Sequence, residues 1–377
     1  MNESTTSAAS ETTDIIRCPY DGHEVGRMPR AGEAEIETAI RQAGDAFDTM
    51  RRLPRFARAE ILERAAGLID EAREEFASLI AAEAGKPLYD ARGEVSRALF
   101  NLRNAGAEAR KWSGHEVPLD VDGSVFEYQT ASPEGGALDL GQTDMDTLAR
   151  LGRRIGIARR YPIGPILAIA PFNFPLNLGV HKVAPAIAVG CPVVLKPAPQ
   201  TPLTSARLAD VLRQAGLPEG ALNVVHCPPE LAETMVRDPR LAMVSFTGSA
   251  AVGWHIKENA GRKKVALELG GNAAVVIDRG TDLDHAAARC VRGGVVYGGQ
   301  YCIGVQRILV HRECYEDFRD RLLERVSACT IGNPLEEGTD IGPVIDEGSA
   351  RRIESWIDEA TAAGATRRTS KRWPTVA

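Results

Sequence analysis

Three observations predict an α/β protein built on a parallel sheet with helices on both faces. From Gly164 onward, short apolar runs at 166–170, 192–195, 221–225 and 241–246 alternate with helical stretches at 176–189, 204–215 and 231–236. Before them, 33–50, 55–84 and 91–112 carry apolar residues at helical spacing. Finally, Asn173, Lys196 and Gly248 all fall at or just past the ends of predicted strands, where ligands bind in open parallel sheets.

Taken in order, the Ser-, Thr- and Glu-rich stretch 1–14 has no apolar core and reads as a disordered start rather than a signal peptide. In 55–84, Ile61, Leu62, Ala65, Ile69, Phe76 and Ile80 form one stripe, expected to be buried along a single helix that Gly85-Lys86-Pro87 ends. The segment 117–150 changes to glycine, acids and turn signals and reads as an excursion between domains. Arg153, Arg154, Arg159 and Arg160 flank Ile155-Gly156-Ile157; a solvated edge strand fits this better than a polyanion patch. Further on come a helix at 253–259, strands at 265–269, 273–277 and 307–310, and helices at 284–297 and 315–327. The last amphipathic helix is 350–363, and 366–377 is basic and irregular.

The chain has 377 residues, enough for two domains with sizeable cores. Its net charge of −6 disfavours a general nucleic-acid or anionic-membrane binder. The apolar runs are broken by proline and glycine and are too short to span a bilayer. Seven scattered cysteines form no C-x-x-C pair and no metal-type spacing, which suits free thiols in a reducing cytoplasm. No metal site is expected.

Five short motifs carry possible chemistry. Gly248-Ser249 follows a strand and opens a helix, where free amides attract phosphate oxygens; the spacing to Gly253 is not G-x-G-x-x-G, so a plain strand–helix turn competes. Glu268 lies 20 residues on, beside Gly270-Gly271, and fits a ribose ligand, a general base or a strand-end acid. Lys196 can reach ribose or phosphate or be a surface lysine. Asn173, in Pro171-Phe172-Asn173-Phe174-Pro175, is either a fixed amide donor for an oxyanion or a self-satisfied turn residue. Cys302 follows Gly298-Gly299-Gln300-Tyr301, where backbone can approach a ligand, and is the cysteine best placed to attack a carbonyl; Cys191, Cys290, Cys314 and Cys329 read as core or surface. His181 and His255 fall on helices, so a Cys-His protease pair fits poorly.

These motifs, with Lys196-Pro197-Ala198, Phe246-Thr247-Gly248-Ser249 and Leu267-Glu268-Leu269-Gly270-Gly271-Asn272, closely resemble the aldehyde dehydrogenase superfamily over about 16–364. The resemblance implies a Rossmann-like cofactor domain (15–116 and 162–246), a bridging, oligomer-forming hairpin (117–161) and a second α/β catalytic domain (247–377). It also implies NAD- or NADP-dependent oxidation of an aldehyde to an acid, with Cys302 as nucleophile, Asn173 holding the oxyanion and Glu268 activating water. Ala170, Pro171, Phe172, Lys196, Ala198, Pro199, Phe246, Gly248, Ser249, Val252 and Leu269 are then expected to line the cofactor. Many NAD-preferring members have Glu where this chain has Pro199, which leaves NAD against NADP open. Relatives continue past residue 377, so a C-terminally shortened member is expected, and the homo-oligomer usual for the family becomes doubtful. Two rival readings remain: a remnant that binds cofactor weakly without turnover, and a thiol esterase using Cys302 and Glu268 without hydride transfer.

Overall fold

The central strands carry almost no polar side chains, so both of their faces must be covered. β5 (Ile166–Ile169), β6 (Val193–Lys196) and β8 (Met243–Thr247) are joined by β7 (Leu222–Val224) and β9 (Lys264–Glu268) in one sheet. Its order is β7-β6-β5-β8-β9 and every pairing is parallel. The computed structural model describes residues 12–118 and 155–368. The chain forms two compact units, 111–162 and the remainder.

Within the larger unit, alternate strand residues enter opposite cores, as the two-residue period requires. Ile166, Ala168, Val193 and Leu195 pack on one side with α2 (Arg55–Glu71), α3 (Arg73–Ala84), α4 (Leu88–Lys111), α5 (Asn177–Val189) and α6 (Leu203–Gln214). Leu167, Val194, Val244 and Phe246 pack on the other with α1 (Glu33–Arg52), α7 (Pro229–Arg237) and α8 (Ala250–Asn259). Each fully buried aliphatic side chain contributes roughly 1.5–3 kcal/mol. Winding reverses between β5 and β8, and the carboxyl ends of those two strands are where this topology opens a crevice. The predicted parallel α/β fold is the observed one.

The remainder of this unit holds an antiparallel pair, β1 (Thr13–Arg17) and β2 (Glu24–Pro29), and a parallel pair, β10 (Ala273–Ile277) and β11 (Val305–Val310). α9 (Leu283–Val295) and α10 (Tyr315–Ala328) share a small core with that second pair, and α11 (Glu347–Ala362) follows. In the smaller unit β3 (His115–Pro118) pairs antiparallel with β4 (Ile155–Ala158), and the Arg160 guanidinium lies over the Trp112 ring. The acidic insert of the expected hairpin, with Arg153 and Arg154, lies outside the described residues.

Several local expectations are corrected. The stretch 55–84 is two helices, not one, interrupted at Ala72 (φ −95°, ψ 22°) without any proline or glycine. The helix expected at 284–297 ends at Val295; a left-handed turn follows, with Tyr297 at φ 50° and Gly298 at φ 62°. β1 begins at Thr13, inside the stretch expected to be disordered, while 1–11 lie outside the described residues. α11 forms as an amphipathic helix, yet none of its residues is buried among the described ones, and Trp356 is 59 % exposed.

Candidate active site

The site grows from the carboxyl ends of β5, β6, β8 and β9. Past β5, Ala170 keeps its amide on the Lys196 carbonyl at 3.0 Å. The chain then crosses Pro171, Phe172, Asn173, Phe174 and Pro175 before α5 begins. Prolines at both ends restrict this loop. The helix has no side-chain cap from its own sequence; instead Glu94 Oε1, reaching from α4, accepts the amides of Leu176 and Asn177, each at 3.0 Å.

Asn173 is half-buried. Its Nδ2 donates to the Gln300 carbonyl at 2.8 Å, while its Oδ1 is buried with no hydrogen-bond partner among the described residues. An amide group has two N–H donors, so one remains for a ligand after Gln300 takes the other. Gln300 itself ties the turn before Cys302 to a neighbouring loop: Nε2 donates to the Tyr297 carbonyl at 3.1 Å, and Oε1 accepts from Ile345 N at 2.9 Å. The Asn173 loop and the Cys302 loop are thus joined by a hydrogen bond two residues from the thiol.

Among the seven free cysteines, Cys302 is the exposed one. Cys18, Cys191, Cys227 and Cys290 are buried, and burial pushes each of these thiols up. Gly270-Gly271 brings the strand end of β9 against the same loop: a Cβ on Gly271 would stand 2.8 Å from the Cys302 carbonyl oxygen. Glu268, the last residue of β9, is exposed at this end, and its carbonyl accepts from Gly248 N at 3.0 Å. Sequence reasoning missed the lysine that feels it. Lys182, on α5, is buried and donates to Thr247 Oγ1 at 2.6 Å; burial brings its ammonium down to about 8, against the charge of Glu268. Also unforeseen are Lys86, Glu94 and Tyr297, wholly buried behind the two loops. Glu94 left a signal: it stands in the apolar stripe of Ala91, Val95, Ala98 and Leu102, where a charge needs a reason.

The expected cofactor residues line the adjoining strand ends. Phe246 lies in β8, and Gly248 leads to Ser249, whose Oγ caps α8 by accepting Val252 N at 3.4 Å. Little room is left at 248 and 253: added Cβ atoms would meet Phe246 Cζ at 2.5 Å and Leu269 Cδ2 at 2.4 Å, so those side chains would have to shift. This close packing sets the helix start, with its unpaired amides, at the crevice. Lys196 ends β6, is 7 % exposed, and donates to the Pro197 carbonyl at 3.1 Å. Burial pulls its ammonium down, and with one carbonyl partner it keeps donors to offer. Ala198 is buried and Pro199 exposed just beyond it. This donor set fits a dinucleotide. The His181 ring bonds Asn101 Nδ2 at 2.8 Å. Among the described residues one cluster has metal-type donors, Cys18, Asp21 and His23, but His23 Nδ1 already holds Asp21 Oδ1 at 2.6 Å. Two ligands of one tetrahedral zinc stand about 3.3 Å apart, given bonds of 2.0–2.3 Å.

Fold and site together define a doubly wound α/β protein with a thiol site at its strand ends. The chain belongs to the aldehyde dehydrogenase family, whose model matches residues 5–373. It is 39 % identical over 351 residues to a putative aldehyde-dehydrogenase-like protein, y4uC, of Sinorhizobium fredii, covering 93 % of this chain and 64 % of that one. Aldehyde dehydrogenase 21 of Physcomitrella patens, solved with its reaction product succinate, superposes with TM-score 0.85 at 36 % identity, over 96 % of this chain and 70 % of that one. The glyceraldehyde-3-phosphate dehydrogenase GapN of Methanocaldococcus jannaschii, solved with NADP, gives TM-score 0.82 at 31 % identity, over 96 % and 74 %. The chain thus spans less than two thirds of the length of y4uC. No helix among the described residues is long and apolar enough to cross a membrane.

Proposed function

We propose that this chain oxidises an aldehyde to a carboxylic acid with NAD or NADP, through covalent attachment of the substrate to Cys302. The observation that carries the reading is the meeting of three loops: Asn173 bonded to Gln300, and Gly271 against the Cys302 backbone, three residues past Glu268. The Cys302 thiolate attacks the aldehyde carbon and forms a C–S bond. The remaining Asn173 N–H and the Cys302 amide hold the oxygen that becomes negative. The bound cofactor supplies a hydride acceptor, which leaves a thioester on Cys302. Glu268 then takes a proton from water as the water attacks the thioester, and the acid departs with Cys302 as leaving group.

Lys196, Gly248 and Ser249 fit the adenosine ribose and pyrophosphate. Pro199 puts no carboxylate beside the ribose, so nothing there repels a 2′-phosphate, and both cofactors are accepted. The substrate is a small aldehyde. The negative net charge argues against a nucleic-acid partner, and the dispersed free thiols fit a reducing cytoplasm.

The test is aldehyde-dependent NAD(P)H formation by the purified chain over aliphatic, aromatic and semialdehyde substrates. Cys302→Ala should lower turnover by at least about a thousandfold. Glu268→Gln should give one burst of reduced cofactor followed by slow release, because thioester hydrolysis is what it loses. Reduction of NAD(P) that survives Cys302→Ala would refute the mechanism. Cofactor-independent ester hydrolysis without aldehyde oxidation would select the esterase reading instead.

A further inference from the structure

We infer that the buried Lys86–Glu94 pair is a positioning device that holds the Asn173 loop and the turn feeding Cys302 in one fixed relation. Both side chains are shut away from solvent, at 1 % and 0 % exposure, and are hydrogen-bonded to each other. Unlike an ion pair that merely staples two helices, this one reaches both reactive loops. The Lys86 ammonium stands 3.6 Å from the centroid of the Phe174 ring and 4.9 Å from that of Tyr297. Phe174 adjoins Asn173, and Tyr297 is five residues before Cys302. Glu94 turns its other oxygen to the amides of Leu176 and Asn177, which close the Asn173 loop.

The chemistry explains why a charge is used. A desolvated ammonium is attracted to the faces of aromatic rings, and this attraction has a direction that aliphatic packing lacks. Lysine has three N–H donors; among the described residues Glu94 is its oxygen acceptor, and the two rings lie beside the same ammonium. Tyr297 is also anchored at its far end, its hydroxyl donating to the Ala84 carbonyl two residues before Lys86. Gly85 lets the chain turn between them: it is left-handed at φ 68°, and an added Cβ would meet Pro19 and Pro343 at 2.7 and 2.8 Å. One buried cation therefore meets one ring from each of the two loops.

This inference rests on the proposed function only in taking Asn173 and Cys302 as reacting residues. Removing one charge alone would strand the other in the interior, so the first variant is the neutral pair Lys86→Met with Glu94→Gln. The second, Phe174→Leu, keeps the ion pair and apolar bulk and removes only the ring facing the cation. Two readouts are needed: kcat with the KM for aldehyde and for cofactor, and amide hydrogen exchange of 171–177 and 296–302. In variants that keep the wild-type melting temperature, kcat should fall about ten- to a hundredfold with the cofactor KM unchanged. Exchange should rise in both segments together, although Phe174 belongs to only one. Loosening confined to 171–177, or an unchanged kcat in a folded variant, would overturn the inference. If the wild-type chain oxidises no aldehyde, the proposed function fails on its own, and exchange still decides this point.

Discussion

The central sheet and the β10–β11 pair are both parallel, both apolar in sequence and both bordered by helices, yet they are packed very differently. All four residues of β6 are buried. In β10 only Ile277 is, and Val276 is 71 % exposed. The helices repeat the contrast: α2 buries Ile61, Leu62, Ala65 and Ile69, whereas α11 buries none of its residues among those described. The difference teaches that an apolar period specifies an element and a face, but not that the face is covered. Coverage is a property of the neighbours, and these are dense around β5 and sparse around β10.

The comparison can be broken at three points. Leu167→Ala, at a fully buried position of β5, should cost about 3 kcal/mol through lost transfer energy and a residual cavity. Chemical unfolding measures it, and a cost below that of an exposed site would break the contrast. A subtler probe is Glu83, buried in α3, whose two carboxyl oxygens accept the amides of Leu203 and Thr204 at 2.9 and 3.1 Å. Burial pushes its carboxyl from 4.5 up to about 8. The native chain therefore keeps a proton that the unfolded chain releases above pH 4.5, so this contribution is whole below that pH and is lost as pH rises towards 8. Melting followed from pH 5 to 8 should show a decline that Glu83→Gln flattens; parallel profiles would refute it. The smallest effect belongs to the sparse region: Val276→Ala should change stability by no more than about 0.5 kcal/mol, and a core-sized loss would mean β10 is covered in solution.

Much of the fold was legible because the buried strands are continuous apolar runs bounded by glycine and proline, and because the strand ends carry Asn173, Lys196 and Gly248. Cys302 could be singled out from seven cysteines by its glycine-rich approach, and it is the exposed thiol. What stayed hidden has physical reasons. The break at Ala72 has no breaker residue, so local propensity could not announce it. The Lys86–Glu94 pair joins a helix break to the second turn of the next helix, and its partners, Phe174 and Tyr297, lie far away in sequence. A period-based reading sees apolar faces and passes over a charge that is buried with company. Lys182 escaped for the same reason, as one cation inside an otherwise apolar helix.

The turn before Cys302 has a consequence for the order in which the molecule is assembled. Tyr297, Gly298 and Gly299 take successive φ values of 50°, 62° and 78°. Glycine enters that region freely, but a tyrosine gives up roughly 1–2 kcal/mol to do so. The turn's few local hydrogen bonds, such as Gln300 N to the Tyr297 carbonyl at 3.2 Å, must work against that cost. The turn can persist only once the Tyr297 ring is docked, and the docking site is made of residues more than a hundred positions earlier in the chain. The Cys302 loop is therefore expected to form late in folding. On that order it closes after the sheet and its helices, and the rate at which Cys302 becomes alkylated during refolding would report that the rest of the molecule is in place.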